Sequence, residues 1–453
     1  MQLPILIAAT CLAAQPPAPA PRPEHGDALH RYTLDNGLRV RLLPSATGTM
    51  VALVVLFELG EENNPPGKSG LAHLIEHLYV TCAAGDAPAR TAQGMMAAYP
   101  PPGGSNAQTG IDYTVMSAVF AANRLEAEIA DAAARMGDLR IEQQDLDREL
   151  PRVDAELANM YGEFPHLAAP NLAREAVDPR NPGARRGGVI EQLRTATVEE
   201  AWAWHARYYK PGNAILVIAG RFDPAEARRL IEKAFRGMLS GEPPPAPVPA
   251  LPAREGGTTT VDLQRPEFGQ WPAAMAAVAY RVPDPAHEDY VPFLMLLGRH
   301  QMKAMPEMQR QLQRQQQGHM ALSPVQYAPL DAPRVAYLCA NVQAGEQVDA
   351  EAIITEIRGR VPSLMAERAT PQEWRQPVTN LYGMMLRLGP GAETMAAMNP
   401  YLAAFSLGRM EQMGLDPAVL RQAIEAVTMQ DLKRCAEAVF GDGRGAGVLV
   451  RID

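Results

Sequence analysis

At 453 residues the chain is longer than a single hydrophobic core usually organises, so two domains are expected. Apolar residues at 47% and charged residues at 21% describe a folded globular protein, and a net charge of −9 argues against a nucleic-acid-binding surface. The four cysteines, Cys11, Cys82, Cys339 and Cys435, form no C-x-x-C pair, which weighs against thiolate zinc and dithiol redox chemistry.

The N-terminal apolar stretch, residues 3–14, has the form of a secretory h-region, with Cys11-Leu12-Ala13 as a small-residue cleavage site. Export to the periplasm or beyond is therefore expected, with the cytoplasm as the alternative. No apolar run reaches the roughly 18 residues needed to cross a bilayer, so no membrane span is expected. Residues 16–23 are a Pro/Ala tether, which assigns 1–26 to a leader.

Residues 32–43 and 50–58 read as strands, the first carrying Asn36-Gly37 as a turn or bulge signal. Pro65-Pro66-Gly67 breaks the chain before a helix that carries His73, Glu76 and His77. A strand over 112–119 and helices over 125–136 and 142–160 follow from apolar spacing. Next, Thr197-Val198-Glu199-Glu200 has the form of a capping box, leading to a helix, a Pro-Gly turn at Pro211-Gly212 and the apolar run Ala214-Ile215-Leu216-Val217-Ile218.

The Pro-rich residues 241–254 read as a linker between domains at 27–240 and 255–453. The second half ends as the first does, with Thr428-Met429-Gln430-Asp431, a helix to Phe440, a Gly-rich turn and Val448-Leu449-Val450. Thr428 stands 231 positions after Thr197, and the constant offset predicts an internal duplication. The fold class expected is α+β: two duplicated α/β domains, each a mostly antiparallel sheet covered by helices on one side, together forming half of a clamshell.

In a helix, positions i, i+3 and i+4 share a face, so His73, Glu76 and His77 project together. Two imidazoles one turn apart can grip one zinc ion, and the carboxylate beside them can take a proton from water. The order H-x-x-E-H is the inverse of H-E-x-x-H, with equivalent geometry. A hydrolytic zinc usually keeps three protein ligands and one open position. The third is sought on the helix at 142–160, where Glu149 and Glu156 stand two turns apart on one face. Spacing alone leaves open which of the two reaches the metal and which supports it from behind. His205 reads as packed among Trp202 and Trp204, and His166 falls outside any ligand spacing.

The run Leu34-Asp35-Asn36-Gly37-Leu38-Arg39-Val40, followed by Gly67-Lys68-Ser69-Gly70-Leu71-Ala72-His73-Leu74-Ile75-Glu76-His77-Leu78, resembles the pitrilysin/insulinase family of zinc metallopeptidases. The likeness continues through Gly104-Ser105-Asn106-Ala107-Gln108-Thr109-Gly110-Ile111-Asp112-Tyr113-Thr114-Val115, through Arg148-Glu149 to Glu156, and to Tyr209-Lys210-Pro211-Gly212-Asn213. The resemblance implies that His73, His77 and Glu156 bind one zinc ion, that Glu76 activates water and that Glu149 supports the ligands. It also implies that Asn106 and Ala107 lie on an edge strand that pairs with an extended peptide substrate.

The second half departs from the family pattern. Members that act through both halves carry there an Arg and, seven residues on, a Tyr. In the corresponding stretch, residues 312–322, Arg314 stands but the position seven later is Ala321; Tyr327 lies farther on, and His319 is a weaker candidate donor. The expected activity is thus endopeptidase hydrolysis of peptides or small unfolded polypeptides in a chamber. A related subunit, in a heterodimer or a homodimer, would supply the Arg/Tyr-type residues. The alternative from another class is a non-catalytic structural or assembly subunit of the same family.

Overall fold

The computed structural model describes residues 29–99, 103–158, 172, 187–246, 256–264, 272–315, 325–326, 335–342, 349–367, 369–381 and 392–452. The leader at 1–26, His166, residues 247–254 of the linker, His319, Ala321 and Tyr327 lie outside the described residues.

The first half runs β1 (His30–Thr33), β2 (Arg39–Pro44), β3 (Met50–Phe57), α1 (Leu71–Thr81), β4 (Ala83–Ala84), α2 (Ala92–Ala98), β5 (Gly104–Thr109), β6 (Thr114–Ala121), α3 (Leu125–Gly137), β7 (Leu139–Arg140) and α4 (Gln143–Ala158). It continues with α5 (Ile190–Leu193), α6 (Val198–Tyr208), β8 (Ala214–Gly220) and α7 (Pro224–Phe235). The single strand expected over 32–43 is instead a hairpin. Asn36-Gly37 turns the chain, with Gly37 at φ 89°, so that β1 folds back antiparallel on β2.

The second half runs β9 (Thr258–Leu263), β10 (Ala274–Arg281), α8 (Tyr290–Gln315), β11 (Val325–Gln326), β12 (Val335–Val342), α9 (Ala350–Ser363) and α10 (Pro371–Leu381). It ends with α11 (Ala392–Met398), α12 (Pro400–Gln412), α13 (Pro417–Ala426), α14 (Met429–Phe440) and β13 (Ala446–Ile452).

The first sheet has the order β1-β2-β8-β3-β6-β5 and the second the order β11-β12-β10-β13-β9. Read from the opposite end, the second repeats the first without β1. The pair β13/β9 is parallel as β2/β8 is, and every other pairing in the two sheets is antiparallel. Thr197 and Thr428 both cap their helices reciprocally, through Glu200 and Asp431. Duplication is therefore visible in topology, pairing sense and capping alike.

Strand β3 reads Met-Val-Ala-Leu-Val-Val-Leu-Phe, an apolar run without alternation, because both faces of the sheet are covered. Val51, Leu53, Val55 and Phe57 pack with the first half's own helices, in one core with Leu74, Leu78, Ile129 and Ile231. Ala52, Val54 and Leu56 face the other way, toward Ala396, Ala403, Ala404 and Leu407 of α11 and α12. Each unit's own helices thus cover one face, and helices of the second half close the first sheet from behind. Leu172 packs reciprocally on the second sheet's outer core with Met275, Cys339 and Val448, and Ala403 stands 231 positions after it.

Polar bonds lock this seam. Arg409 on α12, with no exposed side-chain surface, donates from Nη2 to Asp112 Oδ1 at 3.0 Å. Its guanidinium lies 4.1 Å from the Tyr113 ring centre. Gln412 donates to the Asp112 carbonyl at 2.7 Å, and Arg41 pairs with Glu411.

Candidate metal centre

Helix α1 begins where Gly70 takes φ 93°, a left-handed conformation that fits glycine. One turn on, the rings of His73 and His77 stand 4.9 Å apart, at 82° to each other. Helix α4 packs alongside and brings both of its acids to the same ring. Glu149 Oε2 lies 3.3 Å from His77 Nδ1, while Glu156 Oε2 lies 3.5 Å from His77 Nε2 and 3.6 Å from His73 Nε2. In space the two acids part: Glu156 faces both Nε2 atoms and Glu149 stands behind His77.

The remaining imidazole nitrogens are tied back. His73 Nδ1 is 3.0 Å from the Gly187 carbonyl, which can only accept, so a proton sits on Nδ1 and Nε2 is left facing Glu156. When protonated, Nε2 donates to that carboxylate; when not, it can turn its lone pair to a metal. Glu149 performs the same service for His77. His73, His77 and Glu156 each present one donor atom, all within 4.8 Å of one another. Zinc bonds of 2.0–2.2 Å in a tetrahedron imply donor separations of about 3.3–3.6 Å. The two imidazole-to-carboxylate separations match that range, so the donor set fits a zinc ion.

Charge in the cluster is balanced by contact. Burial alone would raise the Glu149 carboxyl, but His77, Arg148 and Arg152 hold it down at about 2. Arg148 Nε donates to it at 2.8 Å and Arg152 Nη1 at 3.1 Å. Glu156, with its side chain 48% exposed, is held well below the usual carboxylate range by hydrogen bonds from His73 and His77. Burial opposes protonation of His77, yet Glu149 and Glu156 together raise it to about 9. His73 is raised in the same way, against burial, by Glu156 and Glu76.

Glu76 is buried and accepts a hydrogen bond from Thr109 Oγ1 at 2.7 Å. Thr109 ends β5, the terminal strand of the first sheet, and no strand pairs with its outer edge among the described residues. Asn106 is exposed on that strand and aligned with Ser117, while Ala107 is half-buried and aligned with Met116. Arg314, by contrast, falls in the last turn of the long helix α8.

Several contributors lay outside the sequence reading: Thr109, Gly187, Glu61 and Asn64. Glu61 is fully buried and Asn64 nearly so, in a 3₁₀ turn before the Pro65-Pro66 break. The Gly187-Gly188 pair was the available signal, since both take positive φ, 80° and 100°. His205 is buried as expected, but among other aromatics. It stacks on Tyr209 at 5.6 Å and lies 6.0 Å from Tyr79, whereas Trp202 is 54% exposed. Burial lowers its pKa to about 3, and its Nε2 meets the Arg135 carbonyl at 3.0 Å, which leaves it a neutral core residue.

Residues 195–303 match the family model described as "Peptidase M16 inactive domain", a segment that begins after Glu156 and contains none of the converging donors. The chain is 25% identical over 271 residues to "Zinc protease PqqE" of Helicobacter pylori, covering 57% of this chain and 58% of that protein. It spans about half the length of the curated relatives it matches. Its fold is similar to that of a protease from Helicobacter pylori, with a TM-score of 0.74 at 20% identity over 93% of this chain and 99% of that one. It is also similar to the periplasmic protease PqqL from Escherichia coli, with a TM-score of 0.69 at 15% identity over 96% of this chain and 48% of that one. These likenesses, a matched M16 domain model and zinc-protease relatives at 22–27% identity, support this chain as a member of the pitrilysin/insulinase, or M16, peptidase family. Its pair of duplicated units has the architecture of half a clamshell.

Proposed function

We propose that this chain is a zinc-dependent endopeptidase for peptides or small unfolded polypeptides, with His73, His77 and Glu156 as ligands and Glu76 as general base. The observation that carries the reading is the convergence of three donors, with Glu156 at tetrahedral separation from both imidazoles and each imidazole tied back through Nδ1. A bound zinc ion supplies Lewis acidity, making water a better nucleophile and a carbonyl a better electrophile. Glu76 takes the proton of the attacking water and passes it to the leaving amine. Thr109 aims the Glu76 carboxylate, and Glu149 keeps the His77 proton on Nδ1.

Asn106 and Ala107 hold an extended substrate by backbone pairing along the edge of β5. Base and substrate edge are therefore set by one strand, since Thr109 closes β5. A related chain supplies the Arg/Tyr-type residues, in a heterodimer or a homodimer. The reading is supported by PqqL, of which this chain covers 48%, leaving room for a second such half. The assigned domains remain 27–240 for the metal centre and 255–453 for the degenerate repeat, after a leader at 1–26 and joined by the linker at 241–254. Export follows from that leader and from the periplasmic location of PqqL.

The test compares the wild type with Glu76→Gln, each loaded with one zinc, on a quenched fluorescent peptide with and without candidate partner chains. The variant should keep its zinc and lose turnover by about 10²–10⁴-fold. Equal turnover by the two metal-loaded proteins would sink the mechanism. Zinc binding without hydrolysis under any pairing would favour the non-catalytic assembly subunit instead.

A further inference from the structure

Glu61 has no solvent exposure, and its two carboxylate oxygens lead to two adjacent residues of α1, Ala72 and His73. Oε1 accepts the Gly187 N–H at 3.0 Å, and the Gly187 carbonyl in turn accepts His73 Nδ1–H at 3.0 Å. Oε2 accepts Asn64 Nδ2 at 2.8 Å, and Asn64 Oδ1 in turn accepts the Ala72 N–H at 2.9 Å. Asn64 thus satisfies one of the unpaired amides of the first turn of α1, and Gly187 orients the ring one residue further on.

The close approach behind this path needs glycine on both sides. A Cβ on Gly188 would lie 2.3 Å from the Gly70 Cα, and one on Gly187 would lie 2.7 Å from Leu157 Cδ2. The same turn reaches the base strand as well. Glu61 N–H donates to the Gly110 carbonyl at 3.0 Å and Glu62 N–H to the Ile111 carbonyl at 2.9 Å, just beyond Thr109.

We propose that Glu61 is a positioning residue for the metal centre, fixing the orientation and tautomer of His73 through Gly187 and the start of α1 through Asn64. The inference rests on the reading of His73 as a zinc ligand. A buried carboxylate that polarises the group bonded to a ligand's far nitrogen raises the ligand's basicity and removes its rotational freedom; loss of such a partner typically costs 10–100-fold in metal affinity. Glu61→Gln is isosteric but sets an NH₂ against a neighbouring N–H donor, breaking one of the two arms.

The experiment measures zinc affinity by competition with a chromophoric chelator for the wild type, Glu61→Gln and His73→Ala, alongside the melting curve of each metal-free protein. Expected are tight zinc binding by the wild type, severe loss in His73→Ala, and about 10–100-fold weaker binding in Glu61→Gln with its melting curve preserved. At saturating zinc, turnover by Glu61→Gln should return to near the wild-type rate. Wild-type zinc affinity in a folded Glu61→Gln would overturn the proposal. Failure of the wild type to bind zinc, or indifference to His73→Ala, would overturn the reading of the site itself. A measurement on the unmodified protein decides the matter if Glu61→Gln does not fold. Imidazole ¹H–¹⁵N correlation of zinc-loaded protein should show the His73 proton on Nδ1, and a proton on Nε2 would overturn the proposal.

Discussion

Helices α1 and α8 occupy the same place in the two duplicated units, and their contents are opposite in character. Where α1 presents His73, Glu76 and His77, the run from Tyr290 to Leu297 contains no His, Asp, Glu or Cys. Where α4 sets the fully buried Glu149 behind His77, α10 sets Trp374 and Val378 into an apolar core with Leu294 and Leu297. Farther along α8, Arg299 and His300 are buried too, Arg299 paired with Glu367 and set over the Trp374 ring, but among the described residues no set of converging metal-ligating side chains forms there. Buried ionisable groups cost several kcal/mol unless paired, and those of the metal centre each have a partner: His73 has Gly187 and Glu156, His77 has Glu149 and Glu156, and Glu76 has Thr109. The frame is thus common to both units, while the converging donors are found in the first alone among the described residues.

The comparison also exposes a dependence. The second unit lends α12 to the back of the first sheet, and Arg409 fastens it to Asp112 in the turn after β5. Removing one partner of a buried pair leaves the other uncompensated, at a cost of about 3–5 kcal/mol. Arg409→Met should destabilise the protein by that amount in urea unfolding, and Asp112→Asn in the same chain should recover part of it. A loss below about 1 kcal/mol would mean that the two units are not interlocked through this pair.

Zinc should separate the two units by a smaller margin. Free zinc at one hundred times its Kd adds about 2.7 kcal/mol to the folded state. Hydrogen exchange should show the protection gained in α1 and α4 and not in α8. Zinc uptake should also be pH-dependent in a definite sense. In the metal-free protein His77 stays protonated up to about 9, so the metal must displace that proton at neutral pH. Calorimetry in buffers of different ionisation enthalpy should find roughly one to two protons released near pH 7.5, with apparent affinity rising as pH rises toward 9. Uptake with no proton release would contradict the carboxylate contacts at both His77 nitrogens.

Features set by local period were legible in the sequence: the shared face of His73, Glu76 and His77, the two acids of α4, the Pro breaks and the two capped helices. What escaped depends on partners distant in the chain. Thr109 reaches Glu76 across 33 positions and Gly187 reaches His73 across 114, and no periodicity carries such pairings. The cover supplied by α11 and α12 had a sequence sign, since the unalternating apolar run of β3 already requires two buried faces. His205 had one too: Tyr209 lies one helical turn ahead of it, on the same face.

The smallest effect offers the closest comparison, because it concerns a device that both units retain. Thr197 Oγ1 accepts the Glu200 N–H at 3.2 Å while Glu200 accepts the Thr197 N–H at 3.0 Å. The equivalent pair, Thr428 and Asp431, makes the same two bonds at 3.3 and 2.9 Å. Replacing either threonine by alanine should cost about 1 kcal/mol, and the two values should agree within about 0.5 kcal/mol. One difference in surroundings bears on this. Lys68, from the loop before α1, donates to Glu200 at 2.7 Å and to the Thr195 carbonyl at 2.7 Å. If Thr197→Ala proves the costlier, Lys68→Ala should bring the two caps back to equality, since the half-buried lysine would then account for the excess. A difference that survives removal of Lys68 would limit the duplication to topology, with the two helix starts no longer equivalent in energy.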